Sequence, residues 1–357
     1  MKIFLPFKKD PNPYLDEITN NSVHTYVYDN YLNYDPSYNF VHIHWPEAIF
    51  DWKEPSEEEL NILERIINKW KRKSILIYTK HDYLPNKGTT INFTKLFDLI
   101  ERSTDVFIHL GKYSKNLYEE KYPTARHEII YHPLYSMSYC ILDKKFARKE
   151  LQIEQEKFVI IVPGNIRNYA ERDMMLKAFK SLDITNKVLV CINMHAELRY
   201  DFPGRTMLKR IIDIKNIMIS HFKKNHGKPH FLFTYGFQSH KDLELKMSAA
   251  DLVFIPRIES LNSGMFFLGL TFNKIVVGPA VGNIKEQLKG MGLPIFNPKQ
   301  NLSVSNALKK GVQLSMCHKS FPAKLMKRYM PKIVAKQMDD LINDLFMSGV
   351  RLHIKEK

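Results

Sequence analysis

Short apolar runs alternate with helix-like segments along the chain, and this alternation constrains the fold more than any other feature. Six runs lie in the first half of the 357 residues and six in the second half. Several consist almost entirely of Val, Ile, Leu and Phe, which is typical of parallel strands covered on both faces. Alternating strands and helices indicate βαβ units. The sequence therefore predicts an α/β fold with two doubly wound, Rossmann-like parallel sheets.

The runs can be located from their β-branched and aromatic residues. In the first half they are MKIFLPF, TYVYDNY, FVHIHW, SILIYTK, DVFIHLG and HEIIYHP. In the second half they are FVIIVPG, KVLVCINM, HFLFTYG, DLVFIPR, KIVVGP and LPIFNP. Between runs, Ser56 followed by Glu59 and Ser239 followed by Asp242 are capping-box signals that predict helix starts.

The gap between the first six runs and the last six indicates the domain boundaries. We predict a first domain over residues 1–140, a linker over 141–156 and a second domain over 157–323. The stretch from about Lys324 to Arg351 has a helical pattern. We expect residues 324–357 to return to the first domain and pack on it.

Cysteine usage and hydropathy indicate the compartment. Cys140, Cys191 and Cys317 are far apart, and no CxxC or Cys/His spacing suggests zinc, which favours free thiols in a reducing compartment. The N-terminus has only five residues of apolar run before Lys8, too few for a signal peptide, and no run approaches the length of a membrane span. The sequence predicts a cytoplasmic protein, with peripheral binding to the inner membrane face as a further expectation.

The net charge of +15 and the isoelectric point of about 9.4 favour an anionic partner. Basic residues cluster at 65–73 and at 205–228, although solvated helix faces of a lysine-rich chain explain these clusters equally well. The candidates are a phosphorylated small molecule, an anionic membrane face and nucleic acid. Nucleic acid ranks last, since the sequence has no DNA- or RNA-binding motif.

Ligands of open α/β sheets bind beyond the carboxyl ends of the strands, so the residues that follow each run are the candidate site. After FVIIVP, Gly164 permits a close turn and Arg167 stands where a phosphate near the next helix would lie. A plain loop with a surface arginine is the alternative. The loop is neither GxGxxG nor a Walker loop.

After DLVFIP, the polar turn RIESLNSG leads into an apolar helix. Asn262 or Ser263 can cap that helix, and Gly264 allows a ligand to approach the backbone. Glu259 can accept hydrogen bonds from sugar or ribose hydroxyls. The alternative is an ordinary capped helix with an uninvolved Glu259, but the glycine-containing turn favours an anion site at the helix start.

Histidines follow two strands of the first half. FVHIHWPE places His42 and His44 on one face of a strand, and YTKHDYLP places His81 and Asp82 after the next strand. Such groups can deprotonate a hydroxyl or stabilise a departing phosphate, although a lone histidine is more often structural. A metal site formed by the three histidines is a weaker alternative. Asp-x-Asp is absent, and we expect no metal and no cofactor.

The order and spacing of these segments resemble GT-B glycosyltransferases, especially bacterial members of family GT4. FVHIHWPE is similar to the first-domain His-x-His-Trp-Pro segment, and YTKHDYLP to the threonine–histidine–asparagine turn. GNIRNYAERDMMLKAF resembles the donor loop Gly-x-Ile-Arg-x-Tyr-Lys-Gly. YGFQSHKDLELKMSAADLVFIPR and LNSGMFFLGLTFNKIVVGPAVGNIKE resemble the donor-binding core. The similarity covers most of the chain.

The resemblance implies a nucleotide-sugar donor held by the second domain and an acceptor on the first-domain side. It implies that Arg167 meets the diphosphate and that His81, with Asp82 and His44, faces the transferred sugar or the acceptor. The remaining positions are implied donor-binding residues: Gly164, Asn165, Tyr235, Gly236, Phe237, Glu259, Asn262, Ser263 and Gly264.

The chain departs from the family pattern at two positions. The loop lysine corresponds to Ala170, and Arg167 or Arg172 is the expected substitute for its charge. The second of the family's paired glutamates corresponds to Leu268, which leaves the donor nucleotide undetermined. The alternative to an enzyme is therefore a catalytically degenerate GT-B protein that binds a sugar or a nucleotide.

The sequence predicts a metal-independent glycosyltransferase that moves a sugar from a nucleoside-diphosphate donor to a saccharide or lipid-linked saccharide, in bacterial surface polysaccharide synthesis. If the reaction inverts the anomeric configuration, Asp82, Glu47 or His81 must act as base; if it retains the configuration, none is required. The choice between these two outcomes stays open from the sequence.

Overall fold

The computed structural model describes residues 1–83, 89–194, 214–236, 238–318 and 320–348. The chain divides into two compact units. The first comprises residues 1–138, 260–262 and the chain from 322, and the second comprises residues 139–259 and 263–321. Each unit is built around one six-stranded parallel sheet.

Twelve strands in the described residues coincide with the twelve apolar runs, so the predicted α/β architecture is confirmed. The first sheet contains β1 (Lys2–Leu5), β2 (Thr25–Tyr28), β3 (Phe40–Ile43), β4 (Ile75–Lys80), β5 (Val106–His109) and β6 (Arg126–Ile129). The second contains β7 (Phe158–Asn165), β8 (Lys187–Asn193), β9 (Phe231–Phe233), β10 (Leu252–Phe254), β11 (Ile275–Pro279) and β12 (Ile295–Phe296).

Helices follow most strands, as the alternation predicts. In the first half they are α1 (Pro13–Thr19), α2 (Glu57–Trp70), α3 (Ile91–Ser103), α4 (Lys112–Lys121) and α5 (Lys144–Glu150). They continue with α6 (Tyr169–Lys180), α7 (Ile214–Asn225), α8 (His240–Ala249), α9 (Gly264–Thr271) and α10 (Gly282–Gly290). The last are α11 (Asn301–Met316), α12 (Ala323–Lys327) and α13 (Pro331–Met347), and short 3₁₀ turns span Tyr31–Asn33 and Pro46–Phe50.

The predicted helix starts at Ser56 and Ser239 are present. Ser56 accepts a hydrogen bond from the Glu59 N–H, and the Glu59 carboxylate accepts one from the Ser56 N–H, which completes a capping box. Ser239 Oγ accepts from the Asp242 N–H at the start of α8. Both side chains satisfy backbone donors that a helix start leaves free.

The sheet of the first unit is covered on both faces by apolar side chains. One face packs on α2 and α3, with Trp70 fully buried. The other packs on α1 and α13, where Val334, Met338 and Ile342 are fully buried. The C-terminal helix therefore packs on the first unit, as predicted. Two helices, α12 and α13, form this segment, because Pro331 occupies the first turn of α13 and cannot continue the preceding helix.

The second sheet is approached closely by its covering helices. A Cβ on Gly269 of α9 would lie 2.5 Å from Val276 Cγ2, and one on Gly311 of α11 would lie 2.3 Å from Val277 Cγ2. Only a residue without a side chain fits at either contact. All of α9 from Met265 to Leu270 is buried, which explains its apolar sequence.

Strand order fixes where each sheet can bind a ligand. The first sheet has the order β2-β1-β3-β4-β5-β6 and the second β12-β11-β10-β7-β8-β9. The direction of winding reverses between β1 and β3 in the first sheet, and between β7 and β10 in the second. Open α/β sheets bind ligands at the carboxyl ends of the strands beside such a reversal. Among the described residues, no helix combines the length and apolar character that crossing a bilayer requires.

Candidate functional site

In the second unit, asparagine side chains connect the carboxyl ends of β7, β8 and β9. Asn165 Oδ1 accepts a hydrogen bond from Asn193 Nδ2 at 2.9 Å, and Asn193 Oδ1 accepts from the Gly236 N–H at 3.0 Å. Gly236 has a φ of 138°, a backbone conformation that favours glycine. The structure thus brings Asn165 close to Gly236 and to the neighbouring Tyr235, whose ring is exposed.

The end of β7 and the loop that follows it lie against the start of α9. A Cβ on Gly164 would lie 2.6 Å from Met265 Sδ, so the two segments are in contact. Ser263 occupies the N-cap position of α9, but its side chain makes no capping hydrogen bond. Ser263 therefore stands at the predicted cap position, but its hydroxyl does not cap the helix. Gly264 is exposed at the first turn, where backbone N–H groups favour an anion.

Two arginines and one glutamate lie beside this loop. The Arg257 guanidinium is buried and donates from Nη1 to the Asn165 carbonyl at 2.8 Å and to Glu171 Oε2 at 2.6 Å. Glu171 Oε2 also accepts from the Arg167 N–H at 2.9 Å. The side chain of Arg167 is exposed.

Arg257 was not a sequence-based candidate. It is the first residue of the turn RIESLNSG. A charged residue so soon after a buried strand could have indicated it as a candidate. Burial lowers the pKa of Arg257 to about 10, with Glu171 opposing the shift and Arg167 adding to it. Because that pKa is still far above 7, the guanidinium stays charged. The cluster of Arg167, Arg257 and Glu171 therefore carries one net positive charge.

Other sequence-based candidates of the second unit lie in different surroundings. The guanidinium of Arg172 packs 5.0 Å from the Tyr169 ring and 4.9 Å from the Phe222 ring and is buried. Leu268 is buried inside α9 and Ala170 is exposed. Glu259 is exposed in the turn before α9, and Phe237 lies outside the described residues.

In the first unit, His44 and His81 are brought together by neighbouring strands. His44 Nδ1 lies 3.2 Å from His81 Nε2, within hydrogen-bond distance. The Trp45 ring stacks on His81 with 4.3 Å between ring centroids, and the Tyr14 ring meets His81 edge-on at 4.8 Å. These contacts fix the orientation of both histidines at the carboxyl ends of β3 and β4.

Two further histidines complete a buried cluster. His42 Nε2 lies 2.8 Å from Thr79 Oγ1, and the His42 and His44 rings are 4.0 Å apart. His132 Nε2 lies 3.1 Å from the Tyr135 hydroxyl, and its ring centroid is 4.8 Å from that of Tyr14. Neither His132 nor Tyr14 was a sequence-based candidate. Their spacing in the sequence gives no sign of the cluster, and only their contacts in the folded unit show that they belong to it.

Burial controls the charge of this cluster. It lowers the pKa of His42 and of His132 to about 3. It also lowers the pKa of His44 and of His81 well below the usual value, and neighbouring histidines add to the shift. All four rings are therefore neutral at pH 7. A neutral imidazole can donate and accept hydrogen bonds, but one with so low a pKa is a weak general base.

The remaining candidates of the first unit lie around His81. Asp82 is half-buried and follows it in the chain, while Glu47 is buried in the turn after β3. Asn262 belongs to the first unit, where its Nδ2 donates to the His81 carbonyl at 2.7 Å and approaches the Lys80 carbonyl at 3.2 Å. Within the described ranges, no three His, Cys, Asp or Glu side chains are grouped so that they could hold a metal ion.

Comparison with known proteins finds similarity in structure and none in sequence. No protein-family model matches the chain, and no curated protein matches it. Anabaena HepE in complex with UDP and glucose aligns with a TM-score of 0.65 and 13% identity, over 96% of this chain and 99% of that one. A glycosyltransferase from Rickettsia africae aligns with a TM-score of 0.62 and 8% identity, over 97% and 98% of the two chains.

A sucrose-phosphate synthase from Thermosynechococcus elongatus is also similar, with a TM-score of 0.56 and 14% identity over 87% of this chain and 74% of that one. At such identities the similarity concerns the fold. These neighbours are GT-B glycosyltransferases. With its two six-stranded parallel sheets, this chain therefore has the GT-B fold.

Proposed function

We propose that the protein is a glycosyltransferase that moves a sugar from a nucleoside-diphosphate donor to an acceptor hydroxyl. The observation that carries this proposal is the start of α9, which has no side-chain cap and lies against the Gly164 loop next to the winding reversal of the second sheet. The backbone N–H groups at this helix start and the exposed Arg167 side chain suit a diphosphate. HepE, which has the same fold, was crystallised with UDP and with UDP-glucose.

The proposed reaction needs stabilisation of the charge that grows on the departing diphosphate. Preformed donors aimed at that charge are the largest catalytic contribution in many enzymes. We assign this role to the α9 N–H groups and to Arg167, and propose that these groups work without a divalent metal ion. Activity that persists in excess EDTA is the expected result, and its loss, with recovery on adding Mg²⁺, would contradict it.

The first unit is proposed to act on the transferred sugar or on the acceptor. His81 and His44 would hold hydroxyls by hydrogen bonds, since both rings are neutral at pH 7. Asp82 is half-buried and is a candidate base if the reaction inverts the anomeric configuration, with Glu47 and His81 as the other candidates. The anomer of the product, read from its NMR coupling constant, decides between inversion and retention.

The donor can be identified by thermal unfolding of the full chain with UDP, GDP, ADP and CMP. A true donor nucleotide present at 100 times its Kd should stabilise the protein by about 2.7 kcal/mol. UDP is the first choice, because it occupies the structural neighbour. If none of the four changes the unfolding temperature, the proposal fails.

We propose a saccharide or lipid-linked saccharide as acceptor, surface polysaccharide synthesis as the role, and a cytoplasmic enzyme that docks on the inner membrane face. The basic end of α2 supports docking, since Arg65, Lys69, Arg72 and Lys73 are all exposed. Each such residue contributes roughly 1 kcal/mol near an anionic surface. Co-sedimentation with phosphatidylglycerol vesicles at low salt, but not with neutral vesicles, is expected. Equal failure to bind both vesicle types would remove the membrane from the proposal.

A second candidate function is a GT-B protein that binds a nucleotide sugar without transferring it. It is favoured by Leu268, which is buried in the core of α9 and provides no ribose ligand, and by Ala170. Isothermal titration combined with a transfer assay on the same nucleotide sugars separates the two functions. Binding without transfer or hydrolysis for every sugar supports this second candidate.

A further inference from the structure

Arg257 is a buried cation whose hydrogen-bonding capacity is mostly unused. Its side chain is 5% exposed, and both of its bonds, to the Asn165 carbonyl and to Glu171, leave from Nη1. A guanidinium has five N–H donors. Within the described part of the chain, Nε and Nη2 donate to no protein acceptor. Nε and Nη2 both reach the surface, so this edge of the guanidinium is available to a ligand while Nη1 is held by protein groups.

The location of Arg257 matches the place where this fold binds ligands. Arg257 follows β10 by three residues, and its partner Asn165 is the last residue of β7. β7 and β10 are adjacent strands on either side of the winding reversal of the second sheet. The Arg257–Asn165 hydrogen bond therefore crosses the point at which a doubly wound sheet holds its ligand.

The surrounding charges favour an anion. Arg167 and Arg257 are close enough that the charge of Arg167 contributes to lowering the Arg257 pKa. One carboxylate, Glu171, stands against these two cations. The start of α9, which touches Gly164 next to Asn165, adds the partial positive charge of a helix N-terminus. A ligand with two or more negative charges would balance the cluster.

We propose that Arg257 binds the diphosphate of the nucleotide donor through Nε and Nη2, and so supplies the second cation that the loop lacks at Ala170. This inference rests on the proposed glycosyltransferase function. Glu171 holds the guanidinium at Nη1, so the remaining edge is oriented before the ligand arrives. Arginine suits this role because its planar fork matches phosphate oxygens.

The proposed contact acts on the bond that breaks. As the bond between the sugar C1 and the β-phosphate oxygen cleaves, its electron pair stays on that oxygen, and the acceptor oxygen bonds to C1. The acceptor proton passes to the phosphate or to a carboxylate. Arg257 stabilises the charge left on the diphosphate by hydrogen bonds that were already in position.

The test is isothermal titration of the full chain with the tightest of UDP, GDP and ADP, and with the matching nucleoside. Arg257→Met should weaken the diphosphate by about 10- to 100-fold, the range for hydrogen bonds to charged groups, and change nucleoside binding much less. Arg148→Met is the matched control. Arg148 is also a buried arginine of the second unit, and it pairs with Asp251 at 2.7 Å. The Arg148→Met variant should be less stable but should bind the diphosphate and the nucleoside with unchanged affinity.

Glu171→Gln is an independent test, in which the affinity for the diphosphate should rise rather than fall. It removes the competing carboxylate while leaving an oxygen to accept from Nη1, so diphosphate binding should tighten. Equal weakening of nucleoside and diphosphate in Arg257→Met, or no weakening, overturns the inference while the proposed function stands. If Arg257→Met does not fold, an unchanged or weaker diphosphate affinity in Glu171→Gln overturns it. If the unmodified chain binds none of the three diphosphates, both proposals fail.

Discussion

Lys80 and Glu101 form an ion pair in the interior of the first unit, with 2.5 Å between Nζ and Oε1. Lys80 is fully buried, and its ammonium also lies 4.8 Å from the Tyr118 ring centroid. Burial lowers the pKa of Lys80, and the charge of Glu101 opposes that shift. Because Lys80 directly precedes His81, the pair fixes the end of β4 that carries the histidine.

Glu101→Gln should strongly destabilise the first unit, because it leaves the Lys80 charge buried without its counter-ion. Breaking a buried pair from one side costs about 3–5 kcal/mol, measurable by urea unfolding. Glu57→Gln is the control, since Glu57 pairs with Lys95 at the surface, where the side chains are 72% and 49% exposed. Exposed pairs contribute about 1 kcal/mol or less. Equal losses in the two variants would show that Lys80 does not depend on Glu101.

The protein should lose stability in mild acid. Since burial lowers the pKa of His42 and His132 to about 3, the unfolded chain binds protons between about pH 3 and 6.5 that the folded chain does not. The free energy of unfolding therefore has its full value above pH 6.5. Below that pH it falls by about 1.4 kcal/mol per pH unit for each such histidine. Urea unfolding at pH 7.5, 6.0 and 5.0 measures the slope.

His132→Gln should remove the contribution of one histidine from the slope of unfolding free energy against pH, whatever its effect on stability at pH 7.5. His230→Gln, at an exposed position, is the control for the chemical change of histidine to glutamine. An identical slope in His132→Gln and the unmodified chain would mean that His132 is charged in the folded protein.

The rate of the proposed transfer should not depend on a histidine ionisation between pH 6 and 8. Burial lowers the pKa of His44 and of His81 well below this range, so both rings keep one charge state across it. A profile of kcat/KM against pH with the donor at low concentration is the measurement. An inflection near pH 6.5 that disappears in His81→Gln is the contrary result, and it would assign His81 the role of general acid or base.

Gly164→Ala should weaken diphosphate binding, because the new methyl group would meet Met265 Sδ at 2.6 Å and force the Met265 side chain to move at the start of α9. Overpacking of this kind costs about 1–3 kcal/mol. Met265→Ala removes the obstructing side chain, so the double variant Gly164→Ala/Met265→Ala should recover part of the affinity measured by titration. If the double variant binds no better than Gly164→Ala, contact with Met265 is not the reason that glycine is needed.

The strands could be predicted from the sequence because their signal is local. Buried parallel strands require continuous apolar runs, and each of the twelve runs became a strand. The division of the C-terminal segment into α12 and α13 was not predicted, although Pro331 marks it. A proline can either start a helix or interrupt one, and only the packing of α13 on the sheet shows which it does here.

The candidate site was predictable only in part, because its pairs join distant residues. Gly164, Arg167 and Ser263 are marked by their places after strands or before a helix. Arg257 and Glu171 are 86 positions apart, and no spacing in the sequence indicates that they pair. A buried charge shows its role only when its partners are known, whereas a glycine in a turn already restricts the backbone.

The packing of α13 has a consequence for the order in which the protein is made. Residues 1–138 leave the ribosome before the second unit, yet one face of their sheet and the helix α1, including Ile3 and Ile18, pack with α13, which is synthesised after the whole second unit. The second unit can complete its core during synthesis, while the first must wait with apolar surface exposed. A nascent chain halted before residue 331 would therefore present a finished second unit and an N-terminal sheet still open to chaperones.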